Sequence, residues 1–261
     1  MMTGRLNDTA SLLLQTWNDN ARIDAIPSDK RPRDRAEGYE AAAALGKLSG
    51  DRVAGWKIAA TSAAGQRHIN VDSPLCGRIF ARRLLAPGAP VRLGNNIMKV
   101  AEAEFAFRFG RDLPARATAY SRDEALAAVD ALLLSIEVPD SRYNDFTKVG
   151  AAQLIADTAC ASWLILGAPV TAEWRSLDLS EHAVSASRSG VEAARGSGKA
   201  VLGDPRTALT WFVNEASRYC GGVAAGQFVT TGTCIVPVAI APGDIIEANY
   251  GVLGKIGCNI V

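Results

Sequence analysis

The stretch from Val100 to Phe109 constrains the fold more than any other feature of the chain, because its side chains alternate in character. Successive side chains of a β-strand point to opposite faces, so a period of two predicts a strand with two different sides. One side carries three phenylalanines, Phe105, Phe107 and Phe109. We expect that side to pack in a core. The other side carries Glu102 and Glu104, whose Cα atoms are about 7 Å apart along a strand.

The simplest explanation of two glutamates on one side of a strand is that this side faces solvent. Glu137 changes that interpretation, because it lies in Leu132-Leu-Leu-Ser-Ile-Glu-Val138, an apolar run that predicts a buried strand ending at Pro139. A buried carboxylate needs a cation, a hydrogen-bond network or a raised pKa. An ion pair with Arg142 is the alternative to a metal ion, although Asp140 and Arg142 could equally pair with each other.

Three carboxylates without a histidine among them make a hard oxygen site that suits Mg²⁺ or Mn²⁺. A 2-oxo acid can chelate such an ion through its carboxylate and keto oxygens, and the ion then stabilises the enolate. The residues therefore make Glu102, Glu104 and Glu137 candidates for a metal site, with the ion pair of Glu137 and Arg142 as the alternative.

Lys57 is a second candidate for chemistry, because it stands in the otherwise apolar segment Ala54-Gly-Trp-Lys-Ile-Ala59. Desolvation there would lower the pKa of its ammonium group and make it useful as an acid or base. The alternative is a lysine at a strand edge that reaches solvent along its aliphatic stem. The residues alone do not separate these two hypotheses.

The composition excludes several other classes of function. Of the 261 residues, 48% are hydrophobic and 21% are charged, with a net charge of +1, which is typical of a globular protein and not of a nucleic-acid-binding one. Only two histidines are present, so a histidine-rich zinc site is excluded. The five cysteines are widely spaced and predict free thiols in a reducing compartment.

The expected location is the cytoplasm. The first twenty residues lack the basic and then apolar pattern of a signal peptide, and no apolar stretch is long enough to span a membrane.

The order of predicted elements indicates an α+β fold. Residues 1–75 are expected to form a helical N-terminal region with one short strand, and residues 76–261 a catalytic body of short strands. Within that body, Ser121 to Glu124 is a capping box before a helix that we expect to reach Leu133. A second helix is expected from Asp204-Pro205 to Gly221. The two parts are expected to make one compact unit.

Six short segments follow one another along the chain. They are Gly55-Trp-Lys-Ile-Ala-Ala-Thr-Ser62, Asn70-Val-Asp-Ser-Pro-Leu-Cys-Gly77, Ala101-Glu-Ala-Glu-Phe-Ala-Phe107, Ile136-Glu-Val-Pro-Asp-Ser-Arg142, Thr231-Gly-Thr233 and Pro242-Gly-Asp…Gly251-Val-Leu-Gly254. In this order they resemble motifs of the 2-keto-4-pentenoate hydratase / 4-oxalocrotonate decarboxylase family, within the fumarylacetoacetate hydrolase superfamily. The resemblance covers the chain from about residue 10 to its end.

The resemblance implies a mixed β-roll core of the fumarylacetoacetate hydrolase C-terminal type with helical decoration. It also implies one Mg²⁺ or Mn²⁺ ion and a homo-oligomer, with association to a related family subunit as a further expectation. The metal-binding glutamates of the family match Glu102, Glu104 and Glu137, and its active-site lysine matches Lys57. Substrate contacts are expected from Leu75, Asp157, Cys160, Thr231, Gly232 and Thr233.

Two positions depart from the family pattern. Hydratases of the family commonly carry an acidic residue where this chain has Leu75, and an apolar residue there is more usual in the related decarboxylases. Cys160 stands where a serine is usual. With that acid missing, proton transfer or water delivery is expected to fall to Lys57 or Asp72.

The function that the resemblance implies is a metal-dependent lyase that hydrates a 2-hydroxy-2,4-dienoate through a metal-stabilised enolate. Decarboxylation of a 4-oxalocrotonate-type acid at the same site is the first alternative. Hydrolysis of an acylpyruvate C–C bond is less favoured, because His68 and His182 lie in polar settings that suggest surface or helix-end residues. A non-catalytic subunit that binds an oxo acid or serves as a partner is the last alternative.

Overall fold

The computed structural model describes residues 4–261, which form helices around two larger β-sheets and one two-stranded sheet. The helices are α1 (Gly4–Asn18), α2 (Arg35–Ser49), α3 (Ala63–His68), α4 (Arg122–Ala127), α5 (Ala151–Ala156) and α6 (Pro205–Tyr219). The strands of the first half are β1 (Val53–Ala59), β2 (Leu75–Phe80), β3 (Leu84–Leu85), β4 (Pro90–Val91), β5 (Val100–Phe109), β6 (Leu113–Pro114) and β7 (Val129–Val138). Those of the second half are β8 (Trp163–Pro169), β9 (Ala183–Arg188), β10 (Val191–Ser197), β11 (Gly222–Val223), β12 (Phe228–Thr233), β13 (Val238–Ala239), β14 (Ile245–Asn249) and β15 (Lys255–Ile260).

The largest sheet has the order β2-β1-β12-β5-β7-β8-β3, with β13 paired to the start of β5. It is mixed, because β1 runs parallel to β12 whereas β5 is antiparallel to both of its neighbours. A second sheet has the order β10-β9-β14-β15-β4. The predicted α+β class is therefore confirmed. Strand β1 lies inside the large sheet, so that sheet begins upstream of the boundary predicted at residue 75.

Strand β5 lies at the centre of this sheet, between β12 and β7. Its phenylalanines are fully buried in the main core, as their alternation predicts. The opposite side is not a solvent face, because Glu104 is 0% exposed. The simple explanation, in which the glutamates lie on the solvent-facing side of an amphipathic strand, is therefore wrong.

The N-terminal helices pack against the sheet through α5. Asp34 caps the start of α2, where its side chain accepts a hydrogen bond from the Glu37 N–H. A Cβ at Gly38 would lie 2.6 Å from the Ala152 carbonyl oxygen, so a small residue allows α2 to approach α5 closely. This contact brings the helical layer over the end of the sheet that carries the site.

The helix predicted to reach Leu133 ends six residues earlier, at Ala127, and β7 begins at Val129. The capping box of Ser121 and Glu124 does start the helix. Leucine and alanine favour helices, but here the backbone pairs with β5 and β8 instead, and this tertiary pairing overrides the local preference. Helix α6 follows its prediction, with Asp204 as its N-cap.

Among residues 4–261, no helix combines the length and the apolar character needed to cross a membrane. All five cysteines are free thiols, as their spacing predicts.

Candidate active site

Three carboxylates converge where β5 pairs with β7. The antiparallel register places Glu102 directly opposite Glu137, and Glu104 follows two residues along the same side of β5. One carboxylate oxygen from each of the three residues lies within 4.8 Å of the others. Glu104 and Glu137 are both 0% exposed. The three glutamates predicted as metal ligands are therefore brought together.

The hydrogen bonds of this trio are incomplete. The Gly232 N–H donates to Glu104 Oε2 over 2.9 Å. This donor depends on glycine, because Gly232 has φ = +101° and a Cβ there would lie 2.1 Å from Thr61 Oγ1. Glu104 Oε1 and both oxygens of Glu137 accept no well-aligned hydrogen bond from the described residues. Buried oxygens in this state are costly, so the site requires positive charge to offset the carboxylates.

Lys57 supplies part of that charge. Its Nζ lies 3.1 Å from Glu137 Oε1 and donates a hydrogen bond of 3.1 Å to the Ala159 carbonyl oxygen. In a flat sheet β1 and β7 would be about 14 Å apart, since they are separated by three strand spacings. The sheet must therefore curl for this contact to form. The curl agrees with the predicted roll and places Lys57 at the carboxylates.

The pKa values in the site follow from burial and crowding. Burial, together with the charge of Glu137, raises the pKa of Glu102 to about 7. Burial and the two neighbouring carboxylates raise the pKa of Glu104 well above its usual range. Burial alone would lower the pKa of Lys57, but the three carboxylate charges outweigh it and raise that pKa. The lowered lysine pKa expected from an apolar strand is therefore wrong.

A cavity of about 670 Å³ opens above the carboxylates, and its walls are mostly apolar. Its lining includes six of the residues predicted for the site, Lys57, Leu75, Glu102, Cys160, Gly232 and Thr233. Burial raises the pKa of the Cys160 thiol to about 12, so this side chain stays protonated. The volume is within the range that binds small organic molecules.

Besides Glu104 and Glu137, three predicted residues do not line the cavity. Asp72 is exposed, and its carboxylate accepts a hydrogen bond from Ser73 Oγ over 3.0 Å. Asp157 is buried, but its carboxylate forms an ion pair with Arg142. Thr231 Oγ1 donates to the Phe105 carbonyl oxygen over 3.1 Å and so joins β12 to β5. The geometry gives these three side chains no contact with a ligand in the cavity.

The alternative in which Arg142 partners Glu137 is wrong. Arg142 pairs with Asp157, and Asp140 pairs with Arg22 at 2.6 Å. The reason is that the strand ends at Val138. Beyond that point the chain turns towards the helical layer, where the Arg142 guanidinium lies 4.2 Å from the centroid of the Trp17 ring.

The structure also adds lining residues that the sequence did not single out for the site. His68, at the end of α3, lines the cavity and lies edge-on to Phe146 with ring centroids 5.8 Å apart. Arg195 on β10 lines it too, while its guanidinium pairs with Glu192. Both residues stand in polar segments, so nothing in their immediate neighbours distinguished them from surface residues.

The residues present fit a divalent cation. Lys57 offsets one of the three carboxylate charges, and a divalent ion would neutralise the remainder. The free oxygens of Glu104 and Glu137 supply the hard ligands that Mg²⁺ and similar ions prefer. Buried carboxylates with raised pKa values and incompletely satisfied oxygens are also the groups that gain most from such an ion.

Comparison with known proteins adds an independent line of support. A family model described as fumarylacetoacetate (FAA) hydrolase C-terminal matches residues 54–261. A 2-keto-4-pentenoate hydratase from Burkholderia vietnamiensis (strain G4 / LMG 22486) is 33% identical over 213 residues, which is 81% of this chain and 79% of that protein. A 4-oxalocrotonate decarboxylase from Pseudomonas putida is 30% identical over 212 residues, again 81% and 79% of the two chains.

Among solved structures, the chain is similar to a 4-oxalocrotonate decarboxylase from Pseudomonas putida G7 complexed with magnesium and adipate. The TM-score is 0.88 at 25% identity, and the alignment covers 100% of this chain and 99% of the other. The likeness extends over the N-terminal helices as well as the sheets.

Proposed function

Since this chain belongs to the fumarylacetoacetate hydrolase family, through the C-terminal domain that matches residues 54–261, we propose that it is a divalent-metal-dependent lyase of a small 2-oxo acid. The reaction we favour is hydration of a 2-hydroxy-2,4-dienoate, as in the 2-keto-4-pentenoate hydratases it resembles. One observation carries the proposal: three carboxylates, two of them fully buried with oxygens that lack a well-aligned hydrogen bond, converge beside a lysine at an apolar cavity.

Glu102, Glu104 and Glu137 would hold the ion, which we propose to be Mg²⁺ or Mn²⁺. When bound, it would supply positive charge to the carboxylate and keto oxygens of a 2-oxo acid. The proposal draws on the magnesium complex of the similar decarboxylase and on the all-carboxylate ligand set of this chain.

The side chains around the ion site have separate tasks. In the metal-free chain the carboxylates raise the pKa of Lys57, so its ammonium group there is a proton donor and a fixed charge. The Ala159 carbonyl and Glu137 fix its Nζ at the cavity floor. Leu75 and the other apolar walls exclude water from the hydrocarbon part of a substrate. Cys160 remains a neutral thiol and therefore a weak hydrogen-bond donor.

Glutamate replacement tests the proposal. After chelation of divalent ions, the wild-type chain should hydrate 2-hydroxypenta-2,4-dienoate only when Mg²⁺ or Mn²⁺ is restored, which the loss of dienoate absorbance measures. Glu104→Gln should lower kcat/KM about a thousandfold, because a misplaced ion forfeits several kcal/mol of charge stabilisation.

The matched control is Glu247→Gln, which removes an exposed carboxylate paired with Lys255 at 2.9 Å. It should keep wild-type activity. Activity that survives both metal removal and Glu104→Gln would show that the trio is not the catalytic metal site.

Decarboxylation is the second candidate, and two observations favour it. Leu75 is fully buried in the cavity wall, at the position where the hydratases it resembles commonly carry an acid. Arg195 lines the same cavity and could bind the second carboxylate of a dicarboxylic acid. Release of CO₂ from 2-oxohex-3-enedioate, without hydration of the five-carbon dienoate, would assign the chain to this reaction.

A further inference from the structure

Residues 158–160 form a left-handed turn without any glycine. Thr158, Ala159 and Cys160 have φ values of 51°, 52° and 61°. Side chains disfavour this region, and each such residue costs about 1–3 kcal/mol unless its surroundings hold it there. All three residues are buried. The turn therefore depends on neighbouring groups for its shape.

Arg142 is the main group that holds the turn. Its guanidinium donates to the Asp157 carbonyl oxygen over 2.6 Å and to the Ala161 carbonyl oxygen over 2.9 Å. These two residues flank the turn on either side. The same guanidinium pairs with the Asp157 carboxylate, which also accepts the Arg142 backbone N–H over 3.1 Å. Both side chains are at most 2% exposed.

Strand β2 closes the other side of the turn. A Cβ at Gly77 would lie 1.8 Å from the Thr158 carbonyl oxygen, so the strand and the turn are in direct contact. The Asp140 N–H adds a hydrogen bond of 3.0 Å to the Cys160 carbonyl oxygen. The 158–160 turn is thus held from two directions, and only the arginine spans its whole length.

The 158–160 turn also holds Lys57 in place. The Ala159 carbonyl oxygen accepts the Lys57 Nζ hydrogen bond of 3.1 Å, and Cys160 lines the cavity beside it. A relaxation of Ala159 to ordinary backbone angles would rotate this carbonyl away. Glu137 would then be the remaining contact that fixes the ammonium group.

We propose that Arg142 and Asp157 are positioning residues, which keep the 158–160 turn left-handed so that the Ala159 carbonyl fixes Lys57 at the cavity floor. Neither side chain lines the cavity, so they act through the turn and not on a ligand. The effect on turnover rests on the proposed function; the effect on the turn does not.

The test compares Arg142→Lys with Arg206→Lys. Lysine keeps the charge but cannot bridge several acceptors as the planar guanidinium does. Arg206 is a matched control, because it is also buried and donates to the carbonyl oxygens of Trp174, Arg175 and Leu177 at 3.0–3.2 Å, away from the cavity. Both variants should have a lower Tm than the wild type.

Only Arg142→Lys should lower kcat, by about a hundredfold, because a catalytic group misplaced by about 1 Å costs that much. Its KM and its Kd for Mg²⁺ should stay close to the wild-type values, and Arg206→Lys should keep kcat. Unchanged kcat in both variants would overturn the proposal, and so would a loss of Mg²⁺ affinity that accounts for the loss of kcat. If Arg142→Lys does not fold, Asp157→Asn, whose side chain has the same shape, tests whether kcat falls while KM and the Kd for Mg²⁺ stay unchanged.

Alkylation of Cys160 gives a readout that needs no turnover. With iodoacetamide and peptide mass mapping, Cys160 should react on the order of tenfold faster in Arg142→Lys than in Arg206→Lys, because the turn opens more often. Equal rates in the two variants would overturn the proposal. A wild-type chain that processes no 2-oxo acid would contradict the proposed function, while the alkylation rates would still decide the role of Arg142.

Discussion

Two groups of charges meet near the end of β7, where Glu137 belongs to one and Arg142 to the other, and they differ in how well their charges are matched. The pair of Arg142 and Asp157 follows β7, and the guanidinium and the carboxylate satisfy each other and the surrounding backbone. The trio of Glu102, Glu104 and Glu137 lies on β5 and β7 and has one lysine against three carboxylates. Glu104 and Glu137 are as deeply buried as Arg142 and Asp157, so burial alone does not mark a functional site.

The difference lies in the unpaired atoms. A buried ion pair with matched partners contributes to structure, and its loss leaves one charge uncompensated. A buried cluster with surplus oxygens of one sign is unstable by itself, and a cation of opposite charge can relieve it. The pair should therefore stabilise the fold, and the trio should be required for metal binding.

Breaking the pair should have the largest effect on stability. Asp157→Ala leaves the Arg142 guanidinium buried without its carboxylate, which should lower the free energy of unfolding by about 3–5 kcal/mol. Urea unfolding measures this loss. The control is Asp130→Ala, which removes a half-exposed partner of Arg108 at 2.8 Å and should change stability by less than about 1 kcal/mol. Similar losses in the two variants would show that the buried ion pair contributes no more to stability than an exposed one.

Binding of Mg²⁺ to the trio should have the next largest effect on stability. Mg²⁺ at a hundred times its Kd should stabilise the wild-type chain by about 2.7 kcal/mol, because only the folded state offers the three carboxylates together. Thermal unfolding with and without Mg²⁺ measures this gain. Glu104→Gln should lose it, whereas Glu247→Gln should keep it. An equal gain in both variants would place the ion elsewhere.

Removing one carboxylate from the metal-free trio should have the smallest effect, and it should be a gain. Glu104→Gln keeps an oxygen for the Gly232 N–H but removes a charge, so the metal-free chain should become more stable by on the order of 1 kcal/mol at neutral pH. A loss of stability in this variant would contradict the view that the three carboxylates repel one another.

This gain should depend on pH. Burial and the charges of Glu137 and Glu102 raise the pKa of Glu104 well above 4.5, so folding of the metal-free chain takes up a proton as the pH rises above 4.5. The contribution of Glu104 to the stability of the metal-free wild-type chain is therefore greatest below pH 4.5 and is lost as the pH rises towards the raised pKa. The difference between Glu104→Gln and the wild type should grow as the pH rises above 4.5. A difference that is constant with pH would mean that the trio does not titrate together.

The sequence predicts the trio because its members carry local signals. The alternation of Val100–Phe109 aligns Glu102 with Glu104, and Glu137 interrupts an apolar run. Pairing of β5 with β7 then follows from two buried strands in one core. For the same reason the apolar setting of Lys57 identified a buried lysine, while the direction of its pKa depended on three charges that its own strand does not contain.

The pair could not be predicted in this way, because its partners are fifteen residues apart and meet through a turn that no local pattern announces. Thr158, Ala159 and Cys160 include no glycine, yet all three adopt left-handed angles. The sequence consequently predicts Asp157 at the substrate and leaves Arg142 as an alternative partner for Glu137. His68 and Arg195 reach the cavity only because of tertiary packing, which polar segments do not encode.

The metal site itself can be tested most directly by a crystal structure with Mn²⁺, whose anomalous scattering locates the ion. We predict one peak among Glu102, Glu104 and Glu137, with a carboxylate oxygen of each at about 2–2.6 Å, and no such peak in Glu104→Gln crystals. A trio that stays empty at saturating Mn²⁺, with Glu137 held by Lys57 alone, would contradict the assignment of these residues as the metal centre.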